Sequence, residues 1–146
     1  MLGNRVSIAS DHAGFHLKTQ CVTWLKDLGY TVIDNGPSAP ERCDYPDYAQ
    51  TVCTQIENQK ADWGVLICGT GIGMSMAANK FPNIRAALIS DSFCAAATRQ
   101  HNDANVLCMG ERVIGTSLAQ NIVKTFVATS FEGGRHLDRI QKFKLS

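Results

Sequence analysis

The stretch Trp63-Gly64-Val65-Leu66-Ile67-Cys68-Gly69-Thr70-Gly71-Ile72-Gly73 is an apolar run that closes on three alternating glycines, and it leads into a helix-forming segment, Met74 to Lys80. A strand that ends in glycines and feeds a helix aims unpaired backbone N–H groups and the positive end of a helix dipole at one spot, which suits a phosphate or a developing oxyanion. Cys68 stands at the mouth of that turn. The start of a helix favours the thiolate, so Cys68 is a candidate base and the turn a candidate for catalysis as well as anion binding.

On either side of this stretch, short apolar runs alternate with longer amphipathic ones, each strand candidate too far from the next for a hairpin. That is the pattern of an α/β fold. Strands are expected at Arg5 to Ala9, Thr31 to Asp34, Gly64 to Ile67, Ala86 to Ile89 and Val106 to Met109. Phe15, Leu17, Val22, Trp24, Leu25 and Leu28 make a helical stripe ended by Gly29, and Tyr48, Val52 and Ile56 make another. Further helices fill Met74 to Lys80, Phe93 to Arg99 and Leu118 to Ala128. Right-handed crossovers place them on both faces of the sheet. The expected fold is a three-layer, Rossmann-like open sheet of five parallel strands in one domain over residues 1–146. The loop Gly36 to Pro46 holds three of the four prolines and is long enough to reach over a site. A basic arm over about 132–146 carries Arg135, His136, Arg139, Lys142 and Lys144 on a short helix after Gly133-Gly134, placed to fold over an anion.

A chain of 146 residues with 45% hydrophobic content has room for one core and no second domain. Fourteen basic and thirteen acidic residues give a net charge of +1, without the basic excess of a nucleic-acid binder. No stretch has the apolar length of a signal peptide or membrane span, so the expected location is the cytoplasm. The six cysteines, at 21, 43, 53, 68, 94 and 108, include no C-x-x-C pair, which argues against a zinc site or a thioredoxin-like motif. Cys21, Cys53, Cys94 and Cys108 lie in apolar periodic segments and are read as core packing.

Ligands of open parallel sheets bind at the carboxyl ends of the strands. Here those ends are Ser10-Asp11-His12-Ala13-Gly14, Cys68-Gly69-Thr70-Gly71, Ser90-Asp91 and Gly110-Glu111-Arg112. Asp11, His12, Cys68 and Thr70 converge if the first and third strands are neighbours. Asp11 suits a helix cap as well as it suits catalysis, and His12 can be read as an exposed helix-start residue. A second polar group, Arg99-Gln100-His101-Asn102-Asp103, follows the fourth helix and precedes the fifth strand, at the opposite end of the sheet from Cys68. Taken alone it is a helix stop and turn. A twofold dimer would bring His101 of one chain to Cys68 of the other. Arg135 and Arg139, one helical turn apart, fit a solvated face as well as an anion clamp. His16 and His136 support no functional argument. Glycines 69, 71 and 73 give G-x-G-x-G, with Met74 where the dinucleotide fingerprint needs its third glycine and Asp91 where its ribose-binding acid would stand. A non-catalytic phosphate- or nucleotide-binding module is therefore a second reading. A nucleotide triphosphatase is not, since G-x-x-x-x-G-K-[ST] is absent.

Five ordered stretches narrow this further: Ser10-Asp11-His12-Ala13-Gly14-Phe15; Asp44-Tyr45-Pro46-Asp47-Tyr48-Ala49; Ile67 to Gly73 with Ala77-Ala78-Asn79-Lys80; Arg99-Gln100-His101-Asn102-Asp103-Ala104-Asn105-Val106; and Glu132-Gly133-Gly134-Arg135-His136. Together they resemble the B-type ribose-5-phosphate isomerases, a family that includes allose- and galactose-6-phosphate isomerases. The resemblance implies interconversion of aldose and ketose phosphates through a cis-enediolate, without a metal or other cofactor. It implies that Cys68 moves the proton, that the N–H groups of Gly69, Gly71, Ile72 and Gly73 with the Thr70 hydroxyl hold the enediolate oxygens, and that His101 with Asp11 opens the sugar ring. It implies phosphate binding by His12, Arg112, Arg135 and Arg139 and sugar contacts by Tyr45 and Asn102. His101, Asn102 and Arg112 are expected to enter from a second subunit of a homodimer, itself paired into tetramers in some members. Other members carry a glutamate base just after the glycine turn. That position is Met74 here, which assigns the chain to the cysteine-using branch. The expected reaction is ribose 5-phosphate to ribulose 5-phosphate in the pentose phosphate pathway, with a six-carbon substrate such as allose 6-phosphate as the alternative.

Overall fold

The computed structural model describes residues 1–143. Its sheet contains β1 (Arg5–Ser10), β2 (Thr31–Asp34), β3 (Trp63–Cys68), β4 (Ala86–Leu88) and β5 (Val106–Gly110), all parallel, in the order β2-β1-β3-β5-β4. The helices are α1 (Phe15–Asp27), α2 (Tyr45–Glu57), α3 (Ile72–Ala78), α4 (Ser92–Asn102), α5 (Thr116–Ala128) and α6 (Arg135–Gln141). Every residue of β3 is buried, as a central parallel strand covered on both faces must be. Val6, Ile8, Val65, Ile67, Leu107 and Met109 pack against Leu17, Leu25, Ala95, Ile122 and Phe126 of α1, α4 and α5. On the other face Ala9, Leu66, Cys68 and Cys108 meet Val52, Cys53, Met74 and Ala78 of α2 and α3.

Trp63 anchors the first of these cores. It is fully buried, its ring lies 5.6 Å from that of Tyr30 and 5.7 Å from that of Phe126, and its indole N–H donates to Gly3 O at 3.1 Å. Trp63→Ala is expected to cost about 3–5 kcal/mol, read as a lower midpoint in urea unfolding.

α3 lies two residues earlier than the expected Met74 to Lys80, and larger departures from the sequence expectation occur in α2 and α4. α2 begins at Tyr45 rather than near Tyr48, because Pro46 fits a first helical turn, where its missing N–H has no partner to lose. α4 extends to Asn102, so Arg99 to Asn102 form its last turn instead of a loop after it. Arg99 explains that extension: 2% exposed, its guanidinium donates to Asp103 Oδ1 at 2.9 Å and Ala104 O at 2.6 Å and lies 5.6 Å from the Phe126 ring, while Asp103 ends the helix at a φ of 46°. Cys94 is not core: it is exposed in the first turn of α4, whose buried residues are Ala95, Thr98 and Arg99. The other three cysteines read as packing are buried. Burial pushes the Cys21 and Cys53 thiols up to about 12, Cys53 with help from Glu57, and raises Cys108 well above its usual value. The short helix expected in the basic arm is α6, while Lys144 and the two residues after it lie outside the described residues. Among the described residues no helix is long and apolar enough to cross a membrane.

Candidate active site

From β1 the chain moves to β2 on one side, while β3 pairs with β1 on the other, with Ser10 opposite Ile67. The carboxyl ends of β1 and β3 therefore flank a switch point, where open α/β sheets bind ligands. Asp11 follows β1 directly, and its N–H donates to Ile67 O at 3.2 Å. Its Oδ1 accepts from the N–H groups of Ala13 (2.9 Å) and Gly14 (3.2 Å), capping the 3-10 turn His12–Gly14, and its other oxygen has no hydrogen-bond donor among the described residues. His12 Nδ1 accepts from the Cys43 N–H at 3.3 Å, which leaves Nε2 to carry the ring proton. That contact ties the loop of residues 35–44 to the site.

Across the crevice is the glycine turn. Gly71 sits at φ 79°, in the left-handed region, and a Cβ there would stand 2.6 Å from Leu88 Cδ1 and 2.9 Å from the Met109 carbonyl carbon. This geometry folds the Gly71 N–H back onto Cys68 Sγ at 3.1 Å. The Ile72 N–H donates to Thr70 Oγ1 at 3.2 Å. Among the described residues, the N–H groups of Gly69, Thr70 and Gly73 have no acceptor. Cys68 is 5% exposed, so its sulfur is nearly dry, and it begins the turn that carries these three unpaired donors. Tyr45 lies over Gly73 so closely that a Cβ there would come within 2.5 Å of the phenol Cζ.

Arg112 lies beside this same group within the one chain, whereas the resemblance implies that it enters from a second subunit. β5 lies beside β3 with Gly110 opposite Cys68, so the chain two residues on returns to the turn. The Arg112 N–H donates to Gly69 O at 3.0 Å, and its Nη1 would lie 3.3 Å from a Cβ on Gly69.

The remaining candidates gather elsewhere. His101 and Asn102 of α4 and Arg135 and Arg139 of α6 line a cavity of about 450 Å³ together with His136. The next strand begins there: Asn105 O accepts from the Gly64 N–H, and Gly64 stands four residues before Cys68, about 13 Å back along the strand. One chain thus holds the two groups at opposite ends of its sheet. The rings of His101 and His136 stack with centroids 4.4 Å apart, and Glu132 Oε1 lies 3.5 Å from His136 Nε2 and 3.9 Å from His101 Nε2. Burial first, then the neighbouring His101 and Arg135, holds the His136 imidazole below its usual value.

Glu132, His136 and Glu111 are the residues that sequence reasoning passed over. Glu132 and His136 meet across two glycines of positive φ that precede α6, so helical spacing is not what brings them together. Glu111, whose carboxylate accepts from the Leu17 N–H at the start of α1, carried no sequence signal, because its partner is 94 positions away.

A nearly dry thiol beside unpaired N–H groups suits removal of a proton next to a carbonyl, with the donors receiving the charge that forms on oxygen. The comparisons agree with that chemistry. The sequence model of the Ribose/Galactose Isomerase family matches residues 6–143. Ribose-5-phosphate isomerase B of Escherichia coli is 46% identical over 137 residues, covering 94% of this chain and 92% of its own. A putative sugar phosphate isomerase of Bacillus subtilis is 50% identical over 139 residues, covering 94% and 93%. Among solved structures, the type B ribose 5-phosphate isomerase of Trypanosoma brucei superposes with a TM-score of 0.94 at 44% identity over 98% of both chains. Likeness of this depth, carried along nearly the whole sequence and fold, makes this chain a member of the ribose/galactose isomerase family.

Proposed function

We propose that the protein interconverts ribose 5-phosphate and ribulose 5-phosphate in the cytoplasm, as a homodimer whose two active sites each draw on both chains. The observation that carries this reading is Cys68 Sγ, gripped by the Gly71 N–H at the head of a turn in which the N–H groups of Gly69, Thr70 and Gly73 have no acceptor among the described residues. As a thiolate, Cys68 takes the proton from C2 of the open-chain aldose. The electron pair left behind forms the C1–C2 double bond of a cis-enediolate, and the C1 carbonyl electrons move onto oxygen. The N–H donors and the Thr70 hydroxyl hold the two oxygens, and the same proton returns from sulfur to C1 while the C2 hydroxyl proton passes to the C1 oxygen, leaving a C2 ketone and a C1 alcohol. Gly71 and Ile72 act one step back, since their N–H groups aim the thiol and the Thr70 hydroxyl.

The sugar must first open, and the partner subunit's His101 does this with Asp11, an imidazole being suited to proton transfer near neutral pH. His12 and Arg112 hold the phosphate with the partner subunit's Arg135 and the partner subunit's Arg139, whose guanidinium forks match phosphate oxygens. Tyr45 and the partner subunit's Asn102 contact sugar hydroxyls. Two observations support the shared site. The two groups lie at opposite ends of one chain's sheet, and Ile72, Leu88 and Val113, exposed by 46%, 41% and 58%, leave apolar surface around the glycine turn for a second copy to cover.

A side-by-side rate assay tests the substrate. The expected result is faster turnover of ribose 5-phosphate than of allose 6-phosphate; the reverse preference would overturn the five-carbon assignment, and tight binding without ribulose 5-phosphate would overturn catalysis altogether. Gly73→Ala should push Tyr45 off the turn, raising KM for the sugar phosphate severalfold with a smaller change in kcat.

A further inference from the structure

Beyond the isomerase chemistry, His101, Glu132 and His136 form a cluster of a different kind. Among the described residues they are the one group of three or more His, Cys, Asp or Glu side chains whose ligating atoms come together, all within 4.8 Å of one another. We propose that these three side chains bind a divalent transition-metal ion of the zinc type, one that the isomerisation itself does not use.

The separations support a tetrahedral site. Zinc bound at about 2.1 Å to nitrogen and oxygen sets its ligands about 3.4 Å apart. The Glu132 Oε1 to His136 Nε2 distance of 3.5 Å already fits, and the 3.9 Å to His101 Nε2 needs a shift of about half an ångström. The two stacked imidazoles must turn their Nε2 atoms toward a common point. His101 can make that turn, because its side chain is 47% exposed at the end of α4, whereas His136, at 8%, is the fixed ligand. Glu132 is held from behind by its N–H donating to Gln100 O at 3.1 Å, which keeps its carboxylate near both Nε2 atoms. Two imidazoles and one carboxylate are a donor set that prefers zinc and its neighbours over magnesium or calcium. The fourth position opens into the cavity that Arg135 and Arg139 also line. Those two cations oppose a bare dication and favour an anion, such as phosphate, as the fourth ligand. A metal seated there would occupy the imidazole that the proposed reaction uses to open the sugar, so the ion would act as a reversible inhibitor; this consequence, unlike the site itself, rests on the function proposed above.

Cobalt(II) titration tests the site by the visible absorption of tetrahedral cobalt, with zinc competition and calorimetry of zinc binding alongside. The expected result is one saturable metal per chain, displaced by zinc and weakened tenfold or more in both Glu132→Gln and His136→Gln, each checked for an unchanged unfolding transition. Absence of binding, or binding that both substitutions leave untouched, would overturn the site, and the latter result would point to exposed thiols such as Cys94. In the same samples, metal that binds as expected and blocks isomerisation until a chelator is added supports the whole inference. Metal that binds as expected without slowing the reaction overturns only its inhibitory consequence and, with it, the role given to His101.

Discussion

Cys68→Ala is expected to lower kcat for ribose 5-phosphate by a factor on the order of 10²–10⁴, the range a positioned general base contributes. The turn from Cys68 to Gly73 carries no second ionisable group. Met74, the residue after the glycine turn, is fully buried and has no ionisable group. The substitution removes one atom from a nearly buried position, so the fold should persist at a cost of about 1 kcal/mol. Binding of the sugar phosphate should change little, because the phosphate and hydroxyl contacts are made by other side chains. Steady-state rates together with calorimetric titration of the variant separate these terms. A variant that kept a tenth or more of wild-type kcat would require a different base.

Gly71→Ala is expected to be nearly as damaging to the rate, through geometry rather than chemistry. An L residue at φ 79° costs about 1–2 kcal/mol, and the added methyl meets both Leu88 and the backbone of Met109. The turn must shift, and with it the N–H that grips Cys68 Sγ and the free donors at Gly69, Thr70 and Gly73. Loss of one oxyanion donor typically costs about 10²–10³ in kcat, and this change disturbs several at once. The expected result is a fall of at least about a hundredfold in kcat with a cooperative unfolding transition retained. A near-normal rate in a folded Gly71→Ala protein would mean that the turn does not hold the enediolate.

Much of this site can be read from the chain because its parts are local. The glycine turn, Cys68 and Thr70 lie within a few residues of one another, and the apolar run before them specifies a buried parallel strand without help from elsewhere. The first half of the site also follows from strand adjacency: once β1 lies beside β3, the segment that carries Asp11 and His12 lies next to the end of β3. Long-range contacts are harder to read. Arg112 belongs to its own chain's turn because β5, not β4, is the neighbour of β3, an order that periodicity does not encode. Cys94 looked like core because the first half of α4, Phe93 to Ala97, reads as apolar, yet Phe93 and Cys94 lie on its exposed side. The last turn of α4 looked like a helix stop and turn because its residues are polar, whereas the Arg99 guanidinium satisfies the carbonyl of Ala104 and lies against Phe126. The cluster of Glu132 with two histidines depends on α4 and α6 coming together, and neither helix announces the other.

The central claim is that each site combines Cys68 of one chain with His101 of another. Coexpressing Cys68→Ala and His101→Asn chains under different tags, and purifying the mixed dimer by both, tests it directly. Each parent homodimer should be nearly inactive, while each mixed dimer should contain one intact site and show about half of wild-type activity. A purified mixed dimer no more active than its parents would contradict the account and place the two residues in separate functions.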